Sequence, residues 1–233
     1  MCVKIILINI NIGEYIMNRE DVLEILNFRH ACKEFNLEKK ISREDFEVIL
    51  EAGRLSPSSM GIEPWNFIVI ENQDIKNRLG EVCWGGKTQM PTCSHLVIYL
   101  SRKADEIKSH SNYIDYILKE IKQMPQDYAN KFKGVMKSLE DSRFENDKEM
   151  EVYSNNQVYI ALANMMTTAA MLKIDSCAIG GIDVNEVRKI LSKNGLFNSE
   201  KFNITLCAAF GYRLNEPKEK QRQDLKKIVT WVK

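Results

Sequence analysis

The stretch from Asn156 to Leu172, NQVYIALANMMTTAAML, restricts what this chain can fold into more than any other. Its residues are apolar or small nearly all the way round a helical wheel, and a helix of that kind must be covered on every side. It is either the central helix of a core or part of a large subunit interface. At 233 residues the chain is long enough to supply such a cover as one sizeable domain, or at most two small ones. A hydrophobic share of 44% and a charged share of 28% are those of a globular protein. No internal repeat, low-complexity tract or linker divides the chain, so the sequence reads as a single α+β domain.

The elements around that helix follow from periodicity and punctuation. Val22, Leu23, Ile25 and Leu26 predict a first helix over Glu20 to Phe28. Ser42-Arg43-Glu44-Asp45 is a capping-box-like start for a second, with Phe46, Ile49 and Leu50 inward, running towards Gly53. The apolar runs at Phe67–Ile70, His95–Leu100 and Phe202–Phe210 predict three buried strands, with His95 in a structural role. Ile75, Leu79 and Val82 mark a helix over Asp74–Val82, and Trp84 to Gln89 reads as a flexible polar loop. The charged segment Lys103–Met150, broken at Met124-Pro125, reads as helical pieces and a candidate lid. Ala178 to Asp183 is a tight element whose paired glycines let a ligand approach the main chain. Asp183 and Glu186 cap a further helix carrying Val187, Ile190 and Leu191, ended by Gly195, and the polar tail closes on an amphipathic end at Ile228 and Trp231. Residues 1–16 read as an N-terminal extension, an extra strand or a mis-called start, with Met17 the more natural beginning of the single domain 17–233. Their apolar run Ile5–Ile12 is too short to span a bilayer and lacks a cleavage site, so the protein reads as cytoplasmic.

Charge and cysteines exclude several classes. Lys+Arg 33 against Asp+Glu 32 leaves a net charge of +1, so neither nucleic acid nor an anionic membrane is expected as partner. Six scattered cysteines without a C-x-x-C pair, and three histidines without ligand spacing, fit reduced thiols and no metal site. Walker, dinucleotide, nucleophile-elbow and H-E-x-x-H motifs are missing. What remains is a pair of small cationic clusters, Arg29 with Lys33 and Lys220 with Arg222, a loop Ser56-Pro57-Ser58-Ser59, and Gly180-Gly181. Cations from distant parts of a chain can clamp one phosphate, while serines and glycines hold the rest of a phosphorylated cofactor. The plain alternatives are a loop that caps its own backbone and a solvated cationic turn.

Taken in order, these motifs resemble the FMN-dependent NAD(P)H nitroreductase family over roughly Asn18 to Lys233. Arg29-His30-Ala31-x-Lys33-x-Phe35 resembles its N-terminal phosphate motif, and Pro57-Ser58-Ser59 with Glu63-Pro64-Trp65 resembles its flavin loop. Gln89 falls where the family often places a polar or basic group by the isoalloxazine edge. Gly180 and Gly181 match the segment whose N–H groups meet flavin N5 and O4, and Lys220-x-Arg222 resembles the pair that closes on the phosphate. Gly61, Glu63 and Gly180 depart from the family's frequent Asn, Gln and Glu, and Gly86 offers no side chain where some members use Asn. The resemblance implies an α+β fold with a central, mostly antiparallel sheet flanked by helices, a homodimer, and FMN with NADH or NADPH as reductant. It also implies transfer of hydride equivalents to a small-molecule acceptor, a nitroaromatic or quinone, by a ping-pong scheme with no catalytic side chain. The alternatives are another flavin reaction on the same fold (dehalogenation, azoline oxidation, flavin breakdown) or a flavin-binding regulatory or storage protein without turnover.

Overall fold

The computed structural model describes residues 17–233, and the readings made for 1–16 lie outside the described residues. In chain order the helices are α1 (Arg19–Phe28), α2 (Arg43–Arg54), α3 (Gln73–Val82), α4 (Gln89–Thr92), α5 (Ala104–Ile107), α6 (Asn112–Tyr116), α7 (Gln126–Arg143), α8 (Asp147–Met171) and α9 (Val184–Lys193). The strands are β1 (Trp65–Ile70), β2 (His95–Arg102), β3 (Asp175–Ile179) and β4 (Phe202–Gly211). They form one antiparallel sheet in the order β1-β2-β4-β3.

Side-chain alternation in β2 divides the interior. Leu96, Ile98 and Leu100 point to one face, where they join Leu79 of α3 and Val187, Ile190 and Leu191 of α9. Val97 and Tyr99 point to the other, where Phe46 and Ile49 of α2 meet Val158, Leu162 and Met165 of α8. The sheet is therefore covered by helices on both faces, as expected. Helix starts are secured by side chains: Asn18 and Asp21 make a reciprocal capping box, Ser42 accepts from Asp45 N–H, and Asp183 accepts from Asn185 and Glu186 N–H. Each such cap stabilises its helix by about 1 kcal/mol.

Several expectations need correcting. The first strand begins at Trp65 and lies at the sheet edge, so Asn66 and Val69 are exposed rather than buried. A fourth strand, β3, was not anticipated, because Asp175 and Ser176 interrupt its apolar pattern. Helix α8 starts at Asp147, well before Asn156, and in the single chain Val152, Tyr159, Ile160 and Met171 stay exposed. Main-chain hydrogen bonds tie the loop after α3 to Gly181 and Cys83, and Gln89 is buried at the start of α4.

The segment between β2 and α8 builds a helical lobe. Ile107, Ile114, Leu118, Ala129, Met136 and Met150 form its own cluster, closed by Ile62 from the serine-loop side. Pro125 opens α7, which explains the break read at that dipeptide. Among the described residues no helix is long and apolar enough to cross a membrane.

Candidate functional site

The segment after α1 runs alongside β3 at the sheet's edge. Ala31 bridges Ser176 in parallel, Cys32 N–H donates to Ser176 O at 3.2 Å, and Phe35 bridges Arg213 just beyond β4. The frame behind it is a buried ion pair that the sequence did not suggest. Asp175, 3% exposed, accepts from Arg213 N–H at 2.8 Å, from its Nε at 2.9 Å, and pairs with Nη2 at 2.8 Å. The Arg213 guanidinium lies over the Phe28 ring, 4.3 Å from its centroid, and reaches Glu216 at 3.1 Å. His30 Nδ1 faces inward, 3.3 Å from Phe28 O and 3.5 Å from Asp175. Its ring thus braces the turn and leaves Ala31 and Lys33 pointing outward. A signal existed for this frame: Asp175 opens β3 opposite Gly211, the last residue of β4, so the cation two residues further on lies diagonally within its reach.

Between this segment and the tail lies a cleft of about 470 Å³, lined by His30 to Glu34 on one side and Asn215 to Lys218 on the other. The tail then returns across α1, where Lys220 Nζ donates to Leu26 O. Burial, followed by the nearby charges of Arg29 and Arg222, holds the Lys220 ammonium below its ordinary range. Arg29 and Arg222, from opposite ends of the chain, are therefore both close enough to Lys220 to repel it. Among the described residues none of Arg29, Lys33, Lys220 and Arg222 makes an ion pair with a carboxylate. Burial raises the pKa of the Cys177 thiol, and the nearby charge of Lys33 and the Gln89 side chain offset part of that. Cys32, behind the same segment, is pushed up to about 12 by burial, which makes it a poor redox group.

The two glycines after β3 differ. A Cβ on Gly180 would meet nothing within 4 Å, so its main chain is open to a ligand. A Cβ on Gly181 would come to 2.9 Å from the indole of Trp84, so this glycine makes room for a protein side chain instead. Pro57, Ser58 and Ser59 do not line the cleft. Ser58 Oγ accepts from Glu63 N–H at 2.9 Å, and Ser59 N–H donates to Gln157 Oε1 of α8 at 2.6 Å. Asn164 Nδ2, further along α8, donates to Ser56 Oγ at 2.9 Å. Within this loop Met60, Gly61 and Glu63 take positive φ of 57°, 60° and 48°, strain that concentrates at functional sites. Tyr113 OH at 2.9 and 2.7 Å from Ile62 O and Glu63 O, and Lys122 Nζ at 3.1 Å from Met60 O, hold it from the helical lobe.

The sequence pattern of the nitroreductase family matches residues 26–212, which include every element from the end of α1 to β4. The chain belongs to the nitroreductase family. This nitroreductase-family chain is 43% identical over 220 residues to the Bacillus subtilis protein named "Putative NAD(P)H nitroreductase YfkO", covering 92% of this chain and 98% of that protein. Among solved structures it superposes on a "putative nitroreductase in complex with FMN" from Exiguobacterium sibiricum with a TM-score of 0.74 at 20% identity, over 91% of this chain and 97% of the other. A nitroreductase family protein from Streptococcus pneumoniae aligns with a TM-score of 0.73 at 18% identity, over 90% and 99% of the two chains. At those identities the structural likeness establishes the fold of this nitroreductase-family member.

Proposed function

We propose that this protein is an FMN-dependent NAD(P)H oxidoreductase acting on nitroaromatic, quinone or similar acceptors. The observation that carries the reading is the group of Arg29, Lys220 and Arg222 drawn together without a carboxylate partner, beside a cleft near Lys33. Half-buried or exposed cations gathered without a counter-charge repel one another until an anion joins them, and a phosphate monoester supplies close to two charges near neutral pH. The donor set suits the group. Arg29, Lys33, Lys220 and Arg222 would hold the phosphate, and the open main chain of Gly180 would meet the ring edge. Relatives named as NAD(P)H nitroreductases, and FMN in a neighbour of the same fold, support the same choice.

FMN, when bound, supplies the redox chemistry, giving the balanced reactions NAD(P)H + H⁺ + quinone → NAD(P)⁺ + hydroquinone, or the two-electron reduction of a nitro group to nitroso and water. The protein's own part is to bind and orient. The Asp175–Arg213 pair fixes the end of β3 alongside which the segment carrying Lys33 runs. Cations at the phosphate also favour any negative charge that develops on the ring system.

The acting unit in this reading is a homodimer. Val22, Leu23 and Leu26 of α1 and Tyr159, Ile160 and Met171 of α8 are exposed apolar groups, more than a lone chain leaves to water on neighbouring helices. A second copy would also bring another Pro57-Ser58-Ser59 loop, which this chain does not place at its own cleft. The five described cysteines are all free, in keeping with a reducing, cytoplasmic setting.

The test begins with the absorption spectrum of the purified protein before and after anaerobic NAD(P)H. Arg29→Ala and Arg222→Ala should each weaken FMN binding by roughly tenfold to a hundredfold, with a smaller effect on riboflavin, since each removes one charge-assisted hydrogen bond to the phosphate. Equal losses for FMN and riboflavin would overturn the phosphate assignment.

A further inference from the structure

Trp84 is 76% exposed, yet main-chain hydrogen bonds hold the residues on either side of it. Cys83 N–H closes α3 on Leu79 O at 3.0 Å, and Gly86 N–H turns back to Cys83 O at 2.8 Å. Gly85 N–H donates to Gly181 O at 2.8 Å, and Met90 N–H to Gly86 O at 2.9 Å. Three glycines make this seat possible. A Cβ on Gly85 would stand 3.0 Å from Gly181 Cα, one on Gly86 would stand 2.9 Å from the Met90 side chain, and one on Gly181 would stand 2.9 Å from three indole carbons. The indole therefore lies directly on the Gly181 main chain, next to Gly180, where the backbone is open. A large aromatic surface is seated on the Gly181 main chain and left facing water beside the open Gly180.

We infer that Trp84 is a specificity-determining residue for the acceptor: its indole forms the wall on which a flat, electron-poor aromatic acceptor stacks. The inference rests on the flavin reading and adds to it the class of acceptor that this chain prefers. An indole is the most electron-rich aromatic side chain, so its face attracts rings depleted by nitro or quinone carbonyl groups. A pre-positioned ring surrenders little side-chain freedom on binding, so most of the stacking energy appears as affinity. The same wall does nothing for a small inorganic oxidant that accepts electrons without stacking. Acceptor choice, and not turnover as such, is therefore what Trp84 controls.

The experiment uses the flavin-loaded protein with Trp84→Ala and Trp84→Phe. Menadione and nitrofurazone serve as aromatic acceptors, and ferricyanide, two ions per NAD(P)H, as the non-stacking control. Trp84→Ala should raise KM for both aromatic acceptors by about threefold to tenfold, with kcat and the ferricyanide rate changed less than about twofold. Trp84→Phe should recover most of the loss. A readout without turnover accompanies this: calorimetric Kd for 4-nitrobenzoate on the oxidised protein should weaken by the same factor in Trp84→Ala. An equal loss on ferricyanide, unchanged KM values, or a change of oligomeric state in sedimentation would each overturn the assignment, the last by showing that the indole serves a subunit contact. A wild-type protein that holds no flavin would defeat the proposed function itself, whereas a flavin-loaded Trp84→Ala with wild-type acceptor preferences defeats only this inference.

Discussion

Replacing Asp175 by Asn tests whether the buried pair frames the site. The carboxylate is 3% exposed and meets Arg213 through a backbone N–H at 2.8 Å and a guanidinium at 2.9 and 2.8 Å. Asn can keep one acceptor but turns an N–H towards the guanidinium and leaves that cation without its charge partner. Breaking a buried pair on one side costs about 3–5 kcal/mol. Arg213 retains some exposure, Glu216 at 3.1 Å and Phe28 O at 3.4 Å, which offset part of this. The expected loss is therefore about 2–4 kcal/mol, or roughly 5–15 °C in melting temperature for a chain of this size. Urea unfolding measures it, with m unchanged and the midpoint lowered. The second half of the reasoning is coupling: Asp175→Asn, Arg213→Met and the double variant should depart from additivity by at least about 1 kcal/mol. FMN affinity should also fall in Asp175→Asn, because His30 and the segment carrying Lys33 lose their brace. A loss within about 0.5 kcal/mol, or strictly additive single effects, would refute the pair as the frame.

Gly180→Ala should leave the fold's stability nearly unchanged, since its Cβ meets nothing, but lower FMN affinity; Gly181→Ala should destabilise by about 1–3 kcal/mol by displacing Trp84, and thermal melts with flavin titration separate the two. The thiols of Cys32, Cys83 and Cys93 are raised by burial to about 12, 11 and 12 from an ordinary 9.0, so the folded chain keeps protons that the unfolded chain releases. Their stabilising effect is full below pH 9 and is lost as pH climbs towards 11–12, which urea midpoints across that range will show. At pH 8 a thiol reagent should label at most Cys2, which lies outside the described residues, until denaturant is added.

Local rules made much of this fold legible. Ser42, Asp183 and Gly195 end or begin helices where their chemistry requires, and the run from His95 to Leu100 is a central strand because nothing in it interrupts burial. What escaped the sequence reading depends on contacts across long separations. Lys76, 1% exposed, passes for a surface residue until its ammonium is seen donating to Cys93 O at 2.7 Å. Asp175 disguised β3 because its charge is neutralised by Arg213, a residue 38 positions away. The cationic residues of the candidate site, and their meeting on one phosphate, are expectations of the sequence; the path by which the tail folds back over α1 is not written in any local pattern. Gln157 and Asn164 were read only as part of an apolar helix, although they are the groups by which α8 grips the serine loop.

That loop is held almost entirely by others. Tyr113, Lys122 and Gln157 lie far apart in the chain, and between them they fasten residues 59 to 63, of which Met60, Gly61 and Glu63 hold left-handed backbone. Its order is thus borrowed, from α8 on one side and the helical lobe on the other. A lobe that frays in one chain would loosen the serine loop first, long before the sheet felt anything. Changes of length or sequence in the lobe, far along the chain from Ser58, can therefore retune the loop without touching a single residue within it.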